Sequence, residues 1–312
     1  MQRERIVVTG GAGLVGQNLL VSLVQNPERE LVVIDKQPTN LAVLRTLFPT
    51  VTAVEADLAM PGDWADHFAG ATAVVQLHAQ IGAPTMEPFE RNNVTATRHV
   101  LDAIKEHGVP YLVHASSSVV VSVADDFYTR SKREQEEVVL ASGIPSVVLR
   151  PTLMFGWFDR KHLGWLSRFM KRIPVFPIPG RGRYMRQPLY VRDFAAVIES
   201  ALKLRPTGEV HDITGQDRID YIDIIRTIRQ AVHARCMLVF IPVPVFGFLL
   251  RVWAKFDKNP PFTDQQLTAL IAGDEFADTN WPERFGVKPT PFAEAIDQTF
   301  NDPTYSDVVL EF

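Results

Sequence analysis

The chain has 312 residues, 46% hydrophobic and 22% charged, with 32 Lys and Arg against 36 Asp and Glu for a net charge of −4. This is the composition of an ordinary globular protein, long enough for two unequal domains around a cleft; it is neither disordered nor fibrous, and without a polybasic run it gives no support for nucleic-acid binding. Cys236 is the only cysteine, which excludes an intrachain disulfide or a multi-cysteine metal site and makes the reducing cytoplasm the expected location.

From the N-terminus, Met1 to Arg5 lead directly into an apolar strand at Ile6, with no signal-peptide core. Ile6-Val7-Val8 is a strand, and an amphipathic helix follows from Leu14 to Val24. Leu31 to Ile34 is the next strand, then a helix around Leu41 to Leu47, then a strand at Val51 to Val54. Ala73 to Leu77 is a fourth strand, followed by a helix from about Val94 to His107. Tyr111 to His114, a helix from Arg130 to Ala141, and Ser146 to Leu149 complete the series. Short β-rich runs separated by helices of this length predict right-handed βαβ units: an α/β fold with a doubly wound parallel sheet.

After Pro151 the texture changes. Pro174, Pro177, Pro179, Gly180 and Gly182 break the alternation, as expected of a smaller α/β domain that shapes a substrate pocket. The expected division is a dinucleotide-binding domain over 1–156 and a substrate-binding domain over 157–312, with a strand near 209–214 (Val210 to Ile213) returning to the first sheet. The most apolar run, Leu238 to Leu250, contains Pro242 and Pro244 and is too short to span a bilayer, which needs roughly 20 apolar residues. Its expected place is a buried segment or a pocket wall, with peripheral membrane contact or an apolar partner as the alternative.

Three motifs carry chemistry. The loop Thr9-Gly10-Gly11-Ala12-Gly13-Leu14-Val15-Gly16 joins the first strand to the first helix. Glycines there let the backbone approach a pyrophosphate, and the helix start presents free N–H groups and the positive end of its dipole to it. Gly10, Gly13, Leu14, Val15 and Gly16 are the expected contacts. Asp35 ends the second strand, 19 residues beyond Gly16; a carboxylate there accepts from ribose hydroxyls and repels a 2′-phosphate. That favours NAD over NADP, although Lys36 beside it works the other way. The third motif is Tyr128-Thr129-Arg130-Ser131-Lys132. Four-residue spacing stacks Tyr128 and Lys132 on one helix face, where an ammonium favours phenolate and the phenol can exchange a proton with a carbinol oxygen. Such a spacing recurs by chance on solvated helices, but behind a dinucleotide loop it reads as catalytic.

With these residues in place the chain resembles an extended short-chain dehydrogenase/reductase of the NAD-dependent epimerase/dehydratase family, over nearly its whole length. Val74 to Gln80 is similar to the family's fourth strand, and Asn93-Val94-Thr95-Ala96-Thr97 to its Asn-Val-x-Gly-Thr helix. The resemblance implies a Rossmann fold, an enzyme and a homodimer through two helices. It assigns Asp57 and Leu58 to the adenine, and it places His78, Ala79, Asn93, Pro151 and Leu153 along the cofactor with Tyr128 and Lys132. From Ser116-Ser117-Ser118 it selects Ser117 as the catalytic, substrate-binding hydroxyl, with Ser118 second. Val121 replaces the usual Tyr, and the interval from Ser117 to Tyr128 is a short 11 residues.

The substrate is less determined. In Arg186-Gln187-Pro188-Leu189-Tyr190-Val191-Arg192-Asp193 the resemblance assigns Arg186 to a nucleotide-sugar diphosphate, as a bidentate guanidinium suits. Leu153 and Ile271 stand where polar anchors are usual, and the apolar second half is closer to atypical members. Those include relatives of the complex I NAD(P)-binding accessory subunit, and the hydroxysteroid and flavonoid reductases. A nucleotide-sugar epimerase, dehydratase or reductase is the expectation. An apolar-alcohol or ketone dehydrogenase and a non-catalytic binding subunit are the alternatives.

Overall fold

A computed structural model of the chain describes residues 4–122, 125–253, 255, 264–273, 276–277 and 279–311. The first half contains strands β1 (Glu4–Thr9), β2 (Arg29–Asp35), β3 (Thr52–Glu55), β4 (Ala73–Gln76), β5 (Leu112–Ala115) and β6 (Ser146–Pro151). Between them lie helices α1 (Leu14–Leu23), α2 (Pro38–Leu47), α3 (Glu87–Phe89), α4 (Ala96–Glu106) and α5 (Phe127–Leu140). The second half runs β7 (Met154–Phe155), α6 (Leu163–Arg172), β8 (Val175–Pro179), β9 (Met185–Arg186), β10 (Leu189–Tyr190), α7 (Val191–Leu204), β11 (Glu209–Ile213) and β12 (Ile219–Asp220). It continues through α8 (Tyr221–Ala231), β13 (Met237–Ile241), α9 (Val243–Trp253), α10 (Asp264–Ala272), α11 (Trp281–Phe285) and α12 (Phe292–Asn301).

Seven of these strands form one parallel sheet in the order β11-β6-β5-β4-β1-β2-β3. Its inner strands are buried on both faces, which is why they read as continuous Val/Ile/Leu runs without alternation. Ile6, Val8, Val33, Val75 and Val113 face one layer with α1, α2 and α7; Val7, Val32, Val74, Leu112 and Val148 face the other with α4 and α5. The connections reverse direction between β1 and β4, so the crevice for a ligand opens there, at the carboxyl ends of the strands.

The second half does not stand apart in sequence. β11 pairs in parallel with β6, from Glu209 opposite Val147 to Ile213 opposite Pro151, and α7 packs on α1. What remains forms the smaller lobe, whose core gathers Phe155, Met170, Phe176, Ile178, Ile225 and Ile296 from α6, α8, α12 and the β8–β13 pair.

Candidate active site

The glycine loop closes on the first strand crossover. Gly10 has φ +70°, and a Cβ there would fall 2.5 Å from the His78 backbone; at Gly16 it would fall 2.3 Å from the Gly11 carbonyl oxygen. Both positions require glycine, one for conformation and contact, the other for close packing of helix on loop. Gly13 is the residue before α1 and supplies no side-chain cap, so the N–H groups of Leu14 and Val15 at the helix start are left for a ligand's oxygens. Asp35 is buried at the end of β2. It accepts from the Ala12 N–H at 3.0 Å and from the Gln37 N–H at 3.0 Å, which fastens the loop to the strand. Burial pushes its carboxyl above the usual range, and those backbone N–H groups pull it back. Each carboxylate oxygen retains acceptor capacity, so the arrangement fits a dinucleotide with Asp35 on the ribose. Lys36 turns to Asn92 Oδ1 at 2.8 Å, and Asp57 pairs with Arg91 at 2.6 Å.

The serine triplet divides. Ser116 is buried and donates to Glu136, which also holds Arg150 of β6. Ser117 caps the short turn that follows, accepting from the Val119 N–H, and its hydroxyl lies near enough to the Tyr128 phenol to act on it. Ser118 is half-buried beside it. Asp126 caps α5 by accepting from the Thr129 N–H at 2.8 Å, which sets Tyr128 in the first turn. Burial pushes the Tyr128 phenol up, and the Ser117 hydroxyl opposes it. The expected depression by Lys132 is not among the forces on that phenol. Lys132 is buried, and its ammonium donates to the Ala115 carbonyl at 3.1 Å and to Gln135. Burial brings its pKa down to about 7.

Beneath this pair lies a layer of which the sequence pointed only to His78 and Asn93. Thr9, Gln76 and His114 sit at the ends of β1, β4 and β5 in matching register, all toward α4 and α5. Thr97 of α4 is the hub: its hydroxyl takes Gln76 at 2.6 Å, Gln135 at 2.9 Å and His78 at 3.2 Å. The other His78 nitrogen meets Thr9 at 2.9 Å. Burial lowers His78 to about 3 and His114 well below its ordinary value, so both rings are neutral. Among the described residues the two ring nitrogens of His114 have no hydrogen-bond partner. Asn93 belongs to the same floor. It takes Gln80 N–H at 2.6 Å on its oxygen and gives to Ser131 at 2.9 Å, joining the segment after β4 to α5. It sits in a π-helical stretch, Glu90–Thr95, the kind of helix defect that recurs at functional sites.

Comparison with known proteins agrees with this geometry. A family model, the NAD dependent epimerase/dehydratase family, matches residues 6–213. The chain belongs to that family. It is 25% identical over 303 residues to a ceramide reductase of Caulobacter vibrioides, covering 96% of this chain and 90% of the relative. It is 26% identical over 265 residues to a dTDP-glucose 4,6-dehydratase of an Actinoplanes strain, covering 74% and 82%. Among solved structures, UDP-glucose 4-epimerase of Thermotoga maritima shares the fold at a TM-score of 0.76 and 17% identity, over 95% of this chain and 97% of that one. NAD, the cofactor expected from the glycine loop and Asp35, is the cofactor of the family.

On the substrate side the family's features are fewer. Arg186 is half-buried on β9, opposite Ile219 of β12. Its charge reaches His162, which burial and the neighbouring cations hold low, and Tyr221, which burial holds high. Leu153, just past the end of β6, is 38% exposed, while Pro151 is buried. Ala79 is exposed after β4, and Leu58 is buried in the layer under α4. Ile271 is half-buried on α10.

Proposed function

We propose that the chain is an NAD-dependent epimerase, dehydratase or reductase of a nucleotide-linked sugar. The observation that carries the chemistry is the Ser117 hydroxyl set close enough to the buried Tyr128 phenol to favour its phenolate, at the carboxyl end of β5 and across the sheet's switch point from the glycine loop. Ser117 binds the reacting sugar oxygen, and Tyr128 takes or returns its proton. Lys132, one helical turn from Tyr128, holds the ribose, and the Ser117 hydroxyl is what favours the phenolate. Bound NAD supplies the hydride acceptor. Leu14 and Val15 N–H groups, Asp35 and the glycines hold it, and Arg186 holds the diphosphate of the substrate by charge-assisted bonds. The family and the dehydratase relative support the nucleotide sugar.

A second reading, oxidation of an apolar alcohol or reduction of the matching ketone, draws on exposed Leu153 and on the ceramide reductase relative. Incubating purified protein with NAD and UDP-, dTDP- and GDP-sugars, and separately with NAD and long-chain alcohols or NADH and long-chain ketones, decides between them. A change in reduced nicotinamide or an altered sugar supports the first; turnover confined to the apolar set overturns it.

A further inference from the structure

Helix α9 is apolar on nearly every side, with Arg251 its only charged residue. Such a helix belongs in a core, yet only one side of it is covered. Gly247 is buried, Val243 rests on the turn at Gly180, where an added Cβ would lie 3.2 Å from the valine, and α10 packs alongside. The other side is largely exposed: Val245, Phe248, Leu249 and Trp253 are 48%, 58%, 49% and 47% exposed. Their spacing of three, one and four residues sets them in a single stripe along the helix. Phe240, on the strand leading into the helix, is also exposed, as are Met237 and Val175, which face each other in the β13–β8 pair. Single exposed apolar residues are ordinary; a continuous stripe of Phe, Leu and Trp on one helix marks a contact surface.

The segments that build this part of the lobe are basic. No Asp or Glu occurs between Asp159 and Asp193 or between Asp223 and Asp257, the stretches that build α6, β8, β13 and α9. Fourteen of the chain's 32 Lys and Arg do occur there, in a protein of net charge −4. Arg186 belongs to the candidate site, and several of the others are exposed on the same lobe. Exposed Lys171 and Arg172 end α6 just before Val175, and exposed Arg235 precedes Met237. Arg226 and Arg229 line a shallow depression with Arg235, Arg226 also pairing with Asp223. Arg251 and Lys255 are exposed at the other end of the helix.

We propose that this face seats the protein on an anionic lipid bilayer. Helix α9 lies in the plane of the interface with Phe248, Leu249 and Trp253 at the acyl boundary, and the flanking Lys and Arg meet the phosphate headgroups. With 11 residues α9 is too short to span, and no described helix is long and apolar enough to cross a membrane, so the seating is peripheral. A second copy on the stripe would press two cationic surfaces together, which like-charge repulsion opposes. The surface is independent of the substrate proposed above, since none of its residues is placed at the reacting atoms.

The test is flotation of the full chain with NAD on phosphatidylcholine vesicles, with and without phosphatidylglycerol. Binding is expected only with phosphatidylglycerol, falling as salt rises. Phe248→Ser with Leu249→Ser should weaken it roughly tenfold or more while NAD affinity and melting temperature hold. Arg251→Gln with Lys255→Gln should weaken it and flatten the salt dependence. A blue shift of tryptophan emission on vesicle addition should be lost in Trp253→Phe, which reports the helix itself even if the serine variant folds poorly. No flotation at low salt overturns the proposal, as does flotation that Phe248→Ser/Leu249→Ser leaves unchanged. A doubled solution mass that the same variant reduces to a monomer would assign the stripe to a second copy.

Discussion

Two regions of this molecule break the inside-apolar, outside-polar pattern in opposite senses. At the strand ends beneath Tyr128, where a core would hold aliphatic residues, Thr9, Gln76, Thr97, His114 and Gln135 fill a buried layer. On α9, where a surface would be polar, Phe248 and Leu249 stand in the open. The rest of the chain obeys the pattern closely, as the two layers on the parallel sheet show. Departures of this kind concentrate where a protein acts on something other than itself. The first serves chemistry at a fixed point and is wired by hydrogen bonds; the second serves contact over an area and needs only exposure and charge.

If the polar layer exists for the chemistry, its upper edge is the most sensitive place in the protein. Tyr128→Phe should lower turnover by roughly 10²–10⁴ while NAD still binds, measured by steady-state kinetics and calorimetry on one preparation; unchanged turnover would remove Tyr128 from the proton path. Arg186 tests where the site ends and the basic lobe begins. Arg186→Met should weaken a nucleoside diphosphate by about 1.5–3 kcal/mol with NAD affinity nearly unchanged. If calorimetry shows no loss, the diphosphate is not held there. Asp35 gives the next effect: NAD should bind at least about tenfold tighter than NADP, on the order of 1.4 kcal/mol. Equal affinities would mean Lys36 prevails.

The smallest effect probes the layer itself. His114 has neither ring nitrogen satisfied by a described residue, so His114→Leu should stabilise the fold by about 1–2 kcal/mol in urea unfolding. The folded state holds this ring neutral well below the ordinary pKa of 6.5, whereas the unfolded chain takes up the proton there. Stability present above that pH is therefore lost as pH falls, and the advantage of the variant should widen between about pH 8 and about pH 5. A constant or shrinking advantage would show that the ring is satisfied in solution.

Much of the fold was legible because strands buried on both faces leave a strong mark. Ile6 to Val8 and Leu31 to Ile34 fall inside β1 and β2, and Val210 to Ile213 inside β11. The glycine loop was legible for the same reason that it works, since Gly10 and Gly16 tolerate nothing larger. The polar layer was not, although a signal existed: Gln76 ends the otherwise apolar β4, His114 is next to last in β5, and Gln135 and Glu136 follow Lys132 by three and four residues. Spacing alone said that Lys132 shares a face with Tyr128; that Gln135 and the Ala115 carbonyl claim its ammonium depends on the depth of α5 against β5. Asn93 lies in a π-helical turn, a register that side-chain periodicity does not display. The run from Leu238 to Leu250 was expected as buried core or pocket wall. Apolar composition is the same whether a helix face is covered or bare, and here part of it is bare.

The return of β11 to the sheet has a consequence for how the chain reaches this structure. The edge of β6 is closed by β11, and α7 packs on α1, both contributed after the whole α6–β10 excursion of the smaller lobe. A nascent or truncated chain ending at residue 156 would carry an unpaired, flat, apolar strand edge, the kind that pairs with other chains. Closing that edge joins residues distant in sequence, so docking of β11 belongs to a late and slow step of folding, and aggregation competes with it until residue 213 is available.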